Sequence, residues 1–200
     1  MPPSGGWWVS QFPTSQQIND LEPTFRSHVL SFVQALTKAK AHVKVTATRR
    51  PRKRAYLMHY SWCIVHAWQG CNPSNVPAYQ PSPPGEGGID IQWLHTTAAG
   101  LPDIPASKAA AQQMVSLYQM NHLHTPPALN SLHIQGKAID MTIGWQGTIK
   151  ILDAHQKSID ISSEPRDGTN PDLIKVGATY QVFHFSNVQK DPPHWSVNGH

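Results

Sequence analysis

The stretch Ser131-Leu-His-Ile-Gln-Gly-Lys-Ala-Ile-Asp-Met141 decides how the fold is interpreted, because it combines a turn, a strand and two potential metal ligands. Gly136 lies between His133 and Asp140 and allows a tight turn. One ligand can therefore precede the turn while the other lies on the strand that follows it. A second cluster, Asp191-Pro-Pro-His-Trp-Ser196, adds another histidine and another carboxylate. Imidazoles and carboxylates are ligands that zinc uses, so the two clusters together predict one metal site.

A zinc hydrolase needs three protein ligands, a fourth position for water and a nearby carboxylate that moves protons. The two clusters can supply His133, Asp140 and His194 as ligands, and Asp191 as the proton carrier. The two prolines before His194 restrict the backbone, as a preorganised site requires. Each spacing alone carries little information in a chain with 12 histidines, since a histidine can bond a loop and an aspartate can cap a turn. Their joint occurrence favours the metal site.

Outside these clusters, the sequence predicts helices first and most strands later. The expected helices begin near Pro23, cover 53–68, run from a cap at Ser107 to about residue 122, and cover 170–180. The expected strands cover 42–48, 138–145, a hairpin of 148–152 with 158–161, and 182–185 and 194–197 near the end. This order predicts an α+β domain rather than a doubly wound parallel sheet.

Residues 70–105 differ from the rest of the chain, because Pro and Gly recur too often there for a long regular element. We expect a loop insertion within a single domain spanning residues 1–200, with a short strand at 89–93 inside the loop. Tyr79 and Trp93 of this loop either line a substrate groove or anchor the loop to the core.

Composition excludes several classes of protein. The charged fraction is 14% of 200 residues, which argues against a long charged helical rod or an acidic disordered tail. The net charge of +4 comes largely from one basic run at residues 49–54, so it indicates a nucleic-acid partner only weakly. No apolar run reaches the ~18 residues of a membrane span. The amino terminus has neither a basic leader nor an apolar core, so we expect no secretory signal.

The two cysteines, Cys63 and Cys71, do not form a CxxC pair. If the segment between them stays helical, they are too far apart for a disulfide. We therefore expect two buried free thiols.

The first cluster resembles the SxHxxGxAxD signature of the zinc D-alanyl-D-alanine carboxypeptidases and related LAS metallopeptidases. These include dipeptidases, murein endopeptidases and phage L-alanyl-D-glutamate endolysins. Asp191-Pro-Pro-His-Trp195 is similar to the second motif of that family, an acidic residue followed by His-Trp at the third and fourth positions. Thr48-Arg-Arg-Pro51, leading into a helix, resembles the arginine element after an early strand. The resemblance spans residues 48–196 and implies the Hedgehog/DD-peptidase fold, a small antiparallel sheet that carries zinc, with helices packed on it.

The same resemblance implies that each chain binds one Zn²⁺ through His133, Asp140 and His194, and that Asp191 acts as general base and then as general acid. Most relatives have Glu where this chain has Asp191, which is one methylene shorter. The arginine motif also reads TATRRP rather than the commoner SGYRS. These departures concern rate and substrate preference more than zinc binding.

The remaining implied roles concern substrate. Arg50 would hold the scissile carbonyl oxygen or a substrate carboxylate, and we prefer it to Arg49 because it directly precedes Pro51, where the chain leaves the strand. Ser131 and Trp195 would contact substrate. Two further expectations rest on the residues alone: His184 as a group beside the metal, and the His122-Leu-His124 pair as an accessory metal site.

The expected function is zinc-dependent hydrolysis of a peptide bond in bacterial peptidoglycan stem peptides or cross-links. Since the substrate lies in the periplasm or cell wall, we expect release by lysis through a holin or delivery by a secretion system. For an effector, an immunity protein or a component of the secretion apparatus would be a partner. A non-catalytic zinc module that binds peptide or glycan is the alternative, but Asp191 favours the enzyme because a binding module can dispense with the base. A nucleic-acid-binding domain rests only on the basic run.

Overall fold

Over residues 1–82 and 86–200, the computed structural model shows an α+β chain with four α-helices and small antiparallel sheets. In chain order the elements are α1 (Pro23–Lys38), β1 (His42–Ala47), α2 (Arg52–His66), α3 (Ile104–Leu117), β2 (Ala138–Gly144), β3 (Ile149–Leu152), β4 (Ser158–Ile161), α4 (Pro171–Thr179), β5 (Phe183–His184) and β6 (His194–Ser196). The predicted fold class is confirmed at this level. The Hedgehog/DD-peptidase arrangement stays a prediction.

The chain divides into two compact units. Unit 1 comprises Met1–Pro13 and Pro51–Asn130, and unit 2 comprises Thr14–Arg50 and Ser131–His200. That the two form the single domain expected over residues 1–200 stays a prediction.

The sheet of unit 2 has the strand order β1-β2-β6-β5, and all its pairs are antiparallel. Strands β3 and β4 form the predicted hairpin as a separate two-stranded sheet. The apolar face of α1 and the buried faces of the strands and α4 share one core cluster, which includes Phe25, Phe32, Leu36, Ile139, Met141, Leu173 and Trp195. This core fixes the strands that carry the candidate ligands.

Side-chain caps start three of the helices, each with a proline in the first turn. Glu22 caps α1, Asp103 caps α3 and Asn170 caps α4. The expected cap at Ser107 is wrong. Asp103 accepts from the Ala106 amide at 2.9 Å, and α3 begins at Ile104 and ends at Leu117. Ser107 lies inside the first turn, where its hydroxyl donates to the Asp103 carbonyl at 2.7 Å.

Unit 1 is built around α2 and α3, whose buried residues form a second core cluster rich in aromatic side chains. Residues 71–82 and 86–103 contain neither a helix nor a named strand, and residues 83–85 of the predicted loop lie outside the described residues. The expected strand at 89–93 does not form. Gln92 makes only an isolated parallel bridge with Pro3, because its alternating neighbours have no partner strand beside them.

The Tyr56 ring anchors this irregular segment to the core of unit 1. Its hydroxyl donates to the Pro77 carbonyl at 2.9 Å and accepts from Trp93 Nε1 at 3.1 Å. Tyr79 packs edge-on against Tyr56 at 5.3 Å between ring centroids, and Trp93 is only 5% exposed. Of the two roles left open for Tyr79 and Trp93, these contacts favour anchoring.

No helix in the described part of the chain combines the length and the apolar character that crossing a membrane requires.

Candidate metal centre

Unit 2 brings His133, Asp140 and His194 together. His133 lies in the turn before β2, Asp140 on β2 and His194 on β6. His133 Nε2 and His194 Nδ1 each lie 3.2 Å from Asp140 Oδ1, and the two nitrogens are 3.3 Å apart. Among the residues that the structure describes, no other set of three His, Cys, Asp or Glu side chains gathers its ligand atoms in this way.

The spacing of these three atoms suits a small tetrahedral cation. In a regular tetrahedron the corners are ~1.63 times as far from each other as from the centre, so zinc bonds of ~2.0–2.1 Å place the ligand atoms ~3.3–3.4 Å apart. The observed separations of 3.2–3.3 Å are close to that value. The donor set of two imidazoles and one carboxylate therefore fits Zn²⁺ by chemistry and by spacing.

The outer nitrogens of both histidines face main-chain carbonyls. His133 Nδ1 lies 2.7 Å from the Thr48 carbonyl oxygen, and His194 Nε2 lies 3.2 Å from that of His200. If each neutral ring donates its N–H to its carbonyl, both inner nitrogens present lone pairs beside the Asp140 carboxylate. Three acceptors then converge with no donor among them, and a cation at that point resolves the conflict. Metal-binding histidines are oriented in the same way by such carbonyl partners.

Strand register places the ligands. In the β2–β6 pair, Asp140 lies directly opposite His194, so their side chains share one face of the sheet. The Met141 amide donates to the Pro193 carbonyl at 2.8 Å, which extends the pairing into the diproline segment. The cross-strand pair therefore accounts for two of the three candidate ligands.

Gly136 positions His133, the third candidate ligand. Its φ of +70° lies in the left-handed region, and a Cβ there would lie 2.9 Å from the Glu22 nitrogen. The Glu22 amide donates to the Gly136 carbonyl at 2.9 Å. The turn that holds His133 is thus pressed against the start of α1, and only glycine fits there without strain.

The charges within the triad stabilise one another. Burial raises the pKa of Asp140, but hydrogen bonds and charge from His133 and His194 outweigh it and hold that pKa well below its usual range. Burial lowers the pKa of His194, whereas the hydrogen bond to Asp140 and the charges on Asp140 and Asp191 raise it, and the net shift is upward. A cation, whether a proton or a metal ion, is therefore favoured at this point.

Asp191 lies at the edge of the triad. Its Oδ2 is 3.9 Å from His194 Nδ1, and 49% of its side chain is exposed. Partial burial, followed by the charge on Asp140, raises the pKa of Asp191, although His194, His133 and His184 oppose the shift. A carboxylate that is close to the candidate ligands, accessible to solvent and raised in pKa could serve chemically as a general base.

Arg50 is joined through its backbone to the same site. Its amide donates to the His133 carbonyl at 3.1 Å, two residues after Thr48 accepts from the His133 ring. Arg50 is partly buried, whereas Arg49 is exposed and bonds the Ser15 amide through its carbonyl. These placements favour Arg50 over Arg49 as the arginine that would contact substrate.

The two residues predicted to contact substrate occupy different environments. Trp195 is 0% exposed and packs on Phe32 and His184, with ring centroids 5.3 Å and 4.7 Å away. It has no surface to offer a substrate, so we assign Trp195 to the core. Ser131 is partly buried, and its hydroxyl lies 3.5 Å from the Ile134 amide across the turn. A substrate contact by Ser131 stays a prediction.

Two other histidine predictions are placed by the structure. His184 Nε2 lies 2.8 Å from the Pro192 carbonyl, so His184 supports the diproline backbone before His194. His122 and His124 are exposed in unit 1 and do not belong to a three-ligand group.

The sequence analysis missed the carbonyls of Thr48 and His200, which bond the outer nitrogens of His133 and His194. Only the position of Thr48 before the arginine pair could have indicated its role.

Compared with known protein families, curated proteins and solved structures, the chain gives no match.

Proposed function

We propose that the chain is a zinc peptidase that hydrolyses a peptide bond in bacterial peptidoglycan stem peptides or cross-links. One observation carries this proposal: two imidazole nitrogens and a carboxylate oxygen converge at 3.2–3.3 Å, with the half-exposed Asp191 beside them. The resemblance of the two motifs to LAS metallopeptidases supplies the substrate class.

His133, Asp140 and His194 would hold the ion. When bound, zinc lowers the pKa of a water molecule to ~7 and polarises the carbonyl to be attacked. The protein's own contribution begins with the carbonyls of Thr48 and His200, which fix the ring orientation of the two histidines.

Asp191 would move the proton. Its raised pKa makes it a better base than an ordinary aspartate, and its exposed half leaves room for water and substrate. It takes a proton during attack and returns it to the leaving amine. The side chain of Asp191 is one methylene shorter than the Glu of most relatives, and its Oδ2 nevertheless lies 3.9 Å from a ligand nitrogen. The backbone approach through the two prolines supports this role.

Arg50 would supply fixed positive charge. A guanidinium beside the site stabilises the oxyanion that develops on the scissile carbonyl, or binds a substrate carboxylate. The direct bond from the Arg50 amide to His133 supports the assignment, because it ties the arginine to a ligand-bearing turn.

The basic run gives little support to a nucleic-acid function. Arg54 donates to the Val9 carbonyl at 3.0 Å and stacks on the Tyr118 ring at 4.6 Å, so its guanidinium is engaged within unit 1. Lys53 likewise donates to the Glu86 carbonyl at 3.1 Å. Two of the cations that suggested a phosphate partner therefore have structural contacts.

The decisive test is mass spectrometry of defined muropeptides after incubation with protein loaded with one equivalent of zinc. We expect the wild type to release a defined fragment and Asp191→Asn to keep zinc but lose at least ~100-fold in rate. Asp160→Asn, which changes an exposed carboxylate on β4, is the matched control and should remain active. Undiminished cleavage by Asp191→Asn would exclude the assigned base.

The same experiment distinguishes the peptidase from the alternative, a non-catalytic module that binds peptide or glycan. A wild type that binds zinc and peptidoglycan without cutting any muropeptide would be a binding module.

We propose that the protein acts in the periplasm or cell wall, and that it is delivered there by lysis or by a secretion system. An immunity protein or secretion component would be the partner of an effector. Fragment masses distinguish carboxypeptidase from endopeptidase cleavage.

A further inference from the structure

Cys63 and Cys71 lie in unit 1, outside the candidate metal centre, and both are free thiols. A continuous helix between them would keep them apart, but α2 ends at His66. Ala67 and Gln69 then adopt left-handed conformations, with φ of 47° and 50°. The chain therefore turns back instead of continuing along the helix axis, which removes the premise on which a disulfide was excluded.

The reversal brings the two thiols together. Each thiol influences the pKa of the other, and both line one cavity of about 260 Å³, together with His59, Tyr60 and Trp68. Cys63 is 2% exposed, whereas Cys71 is only partly buried. Both thiols border the cavity, and Cys71 is the more accessible of the two.

The surrounding contacts hold this arrangement. The Gly70 amide donates to the Ala67 carbonyl at 3.1 Å, and the Cys71 amide donates to the Trp68 carbonyl at 3.0 Å. The Trp62 ring, one residue before Cys63, packs edge-on against Trp68 at 5.7 Å. Hydrogen-bonded turns and aromatic packing therefore position Cys71 against Cys63 in the reduced protein.

We propose that Cys63 and Cys71 form an intramolecular disulfide by exchange with a small-molecule disulfide such as oxidised glutathione. In the first step the Cys71 thiolate attacks one sulfur of the reagent, which releases one thiol and leaves a mixed disulfide on Cys71. In the second step the Cys63 thiolate attacks the Cys71 sulfur and releases the second thiol. Two protein thiols are oxidised, one external disulfide is reduced to two thiols, and the thiol protons pass to the released thiolates.

The order of the steps follows from accessibility and acidity. Of the two thiols that line the cavity, Cys71 is the more exposed, so the external reagent reaches it first. Burial, followed by the proximity of Cys71, raises the pKa of Cys63 to about 12. Burial also raises the pKa of Cys71. Because the thiolate is the nucleophile, the exchange is slow at neutral pH, and its rate rises by about tenfold per pH unit below these pKa values.

The bond would link the end of α2 to the start of the irregular segment of unit 1. Because the disulfide would close a short loop, its gain in folding stability is modest. We expect the thermal midpoint to rise by about 3–8 °C on oxidation. The proposal does not depend on zinc, since neither thiol belongs to the triad.

The test uses the 200-residue chain, loaded with zinc, incubated with excess oxidised glutathione at mildly alkaline pH, then denatured and alkylated. We expect intact-mass spectrometry to show the loss of two hydrogen atoms with no alkylation, and peptide mapping to show Cys63 linked to Cys71. Cys63→Ser should stop at a glutathione adduct on Cys71. Cys71→Ser should react much more slowly, since its remaining thiol is buried.

A wild type that keeps two alkylatable thiols, or that accumulates the adduct as Cys63→Ser does, would overturn the proposal. Disulfide-linked dimers as the main product would overturn it as well. Because the readout is covalent mass, a change in fold stability cannot be mistaken for success.

Discussion

Units 1 and 2 hold their chemically interesting side chains by different means. In unit 2, Asp140 and His194 are neighbours in a strand pair, and main-chain carbonyls orient both histidine rings. In unit 1, Cys63 and Cys71 meet because a helix ends and the chain turns back within a shell of aromatic rings. Paired strands fix distances through a ladder of hydrogen bonds, whereas a turn fixes them through a few local contacts.

The comparison teaches where each kind of chemistry can be placed. Three ligand atoms must stay within a few tenths of an ångström of a required spacing, and a strand pair with a tight turn supplies that precision. Two thiols that are to be joined by a disulfide can reach bonding geometry through a small backbone movement, and a less regular segment allows such a movement. This comparison implies that the metal centre of unit 2 depends on its strands and tight turn. It also implies that unit 1 depends on its aromatic contacts. The following predictions test both statements.

The largest effect should come from His133→Ala in unit 2. Removing one of three ligands should weaken zinc affinity by more than about 100-fold, so that the metal content falls from about one zinc per chain to nearly none. His155→Ala, an exposed histidine of the same unit, is the control and should keep its zinc. Metal analysis of folded protein, checked by circular dichroism, provides the measurement. Full zinc content in His133→Ala would contradict the site.

Among substitutions that add only one methyl group to the strands and tight turn of the metal centre, Gly136→Ala should be the most destabilising. It places a Cβ 2.9 Å from the Glu22 nitrogen and 3.3 Å from the Asp20 carbonyl oxygen, at a φ of +70°. We expect the free energy of unfolding to fall by about 2–3 kcal/mol. Gly147→Ala separates strain from collision. Its φ is +64°, nothing in the described structure lies within 4 Å of the new Cβ, and the expected loss is about 1 kcal/mol. Equal losses in urea denaturation would show that the contact with Glu22 is unimportant.

Sequence patterns predicted the elements of unit 2 well, because its signals are local. Pro23 and Asn170-Pro171 mark helix starts, and residues 148–152 with 158–161 indicate the hairpin, which the structure confirms at Ile149–Leu152 and Ser158–Ile161. The pairing of β2 with β6 could not be predicted from periodicity, since register depends on residues far apart in the chain. The ligand chemistry of the two clusters, together with their motif resemblance, predicted that they meet, whereas periodicity did not.

The same reasoning failed where a residue's role depends on its surroundings. Trp195 follows a ligand, yet β6 is buried at all three of its residues, so strand alternation does not turn one side chain to the surface. The apparent strand at 89–93 alternates because Ile91 and Trp93 are anchored in the core of unit 1. Ser107 and Asp103 are both good caps, and Pro105 was the local signal that could have favoured Asp103.

In unit 1, Tyr56→Phe should loosen the irregular segment. It removes the hydrogen bond to the Pro77 carbonyl and leaves the buried Trp93 Nε1 without the hydroxyl it bonds. We expect a loss of about 1–2 kcal/mol and faster amide exchange near both partners. Tyr180→Phe in unit 2 removes one bond, to the Leu152 carbonyl, at a more exposed position, and should cost about 0.5 kcal/mol. If Tyr180→Phe lost more stability than Tyr56→Phe, the expectation that unit 1 depends more on a buried tyrosine hydroxyl than unit 2 does would be wrong.

The smallest effect, a slope with pH, tests the charge balance of unit 2. Burial lowers the pKa of His194, but Asp140 and Asp191 outweigh burial and raise it overall. Without metal, the folded state then binds this proton more tightly than the unfolded chain, whose histidine titrates near ~6.5. The stabilisation is therefore complete below about pH 6.5 and is lost as pH rises through the raised pKa.

Zinc should reverse that slope. A bound ion needs neutral imidazoles, so protons compete with it, and zinc binding strengthens as pH rises over the same range. Urea denaturation between about pH 6 and 8 should show stability falling with pH in chelator and rising with pH in excess zinc. His155→Ala should retain both slopes, because that residue is exposed and distant in sequence from the triad. Parallel slopes in chelator and zinc would mean that the proton and the metal do not share His194, and that the three acceptors hold only a proton.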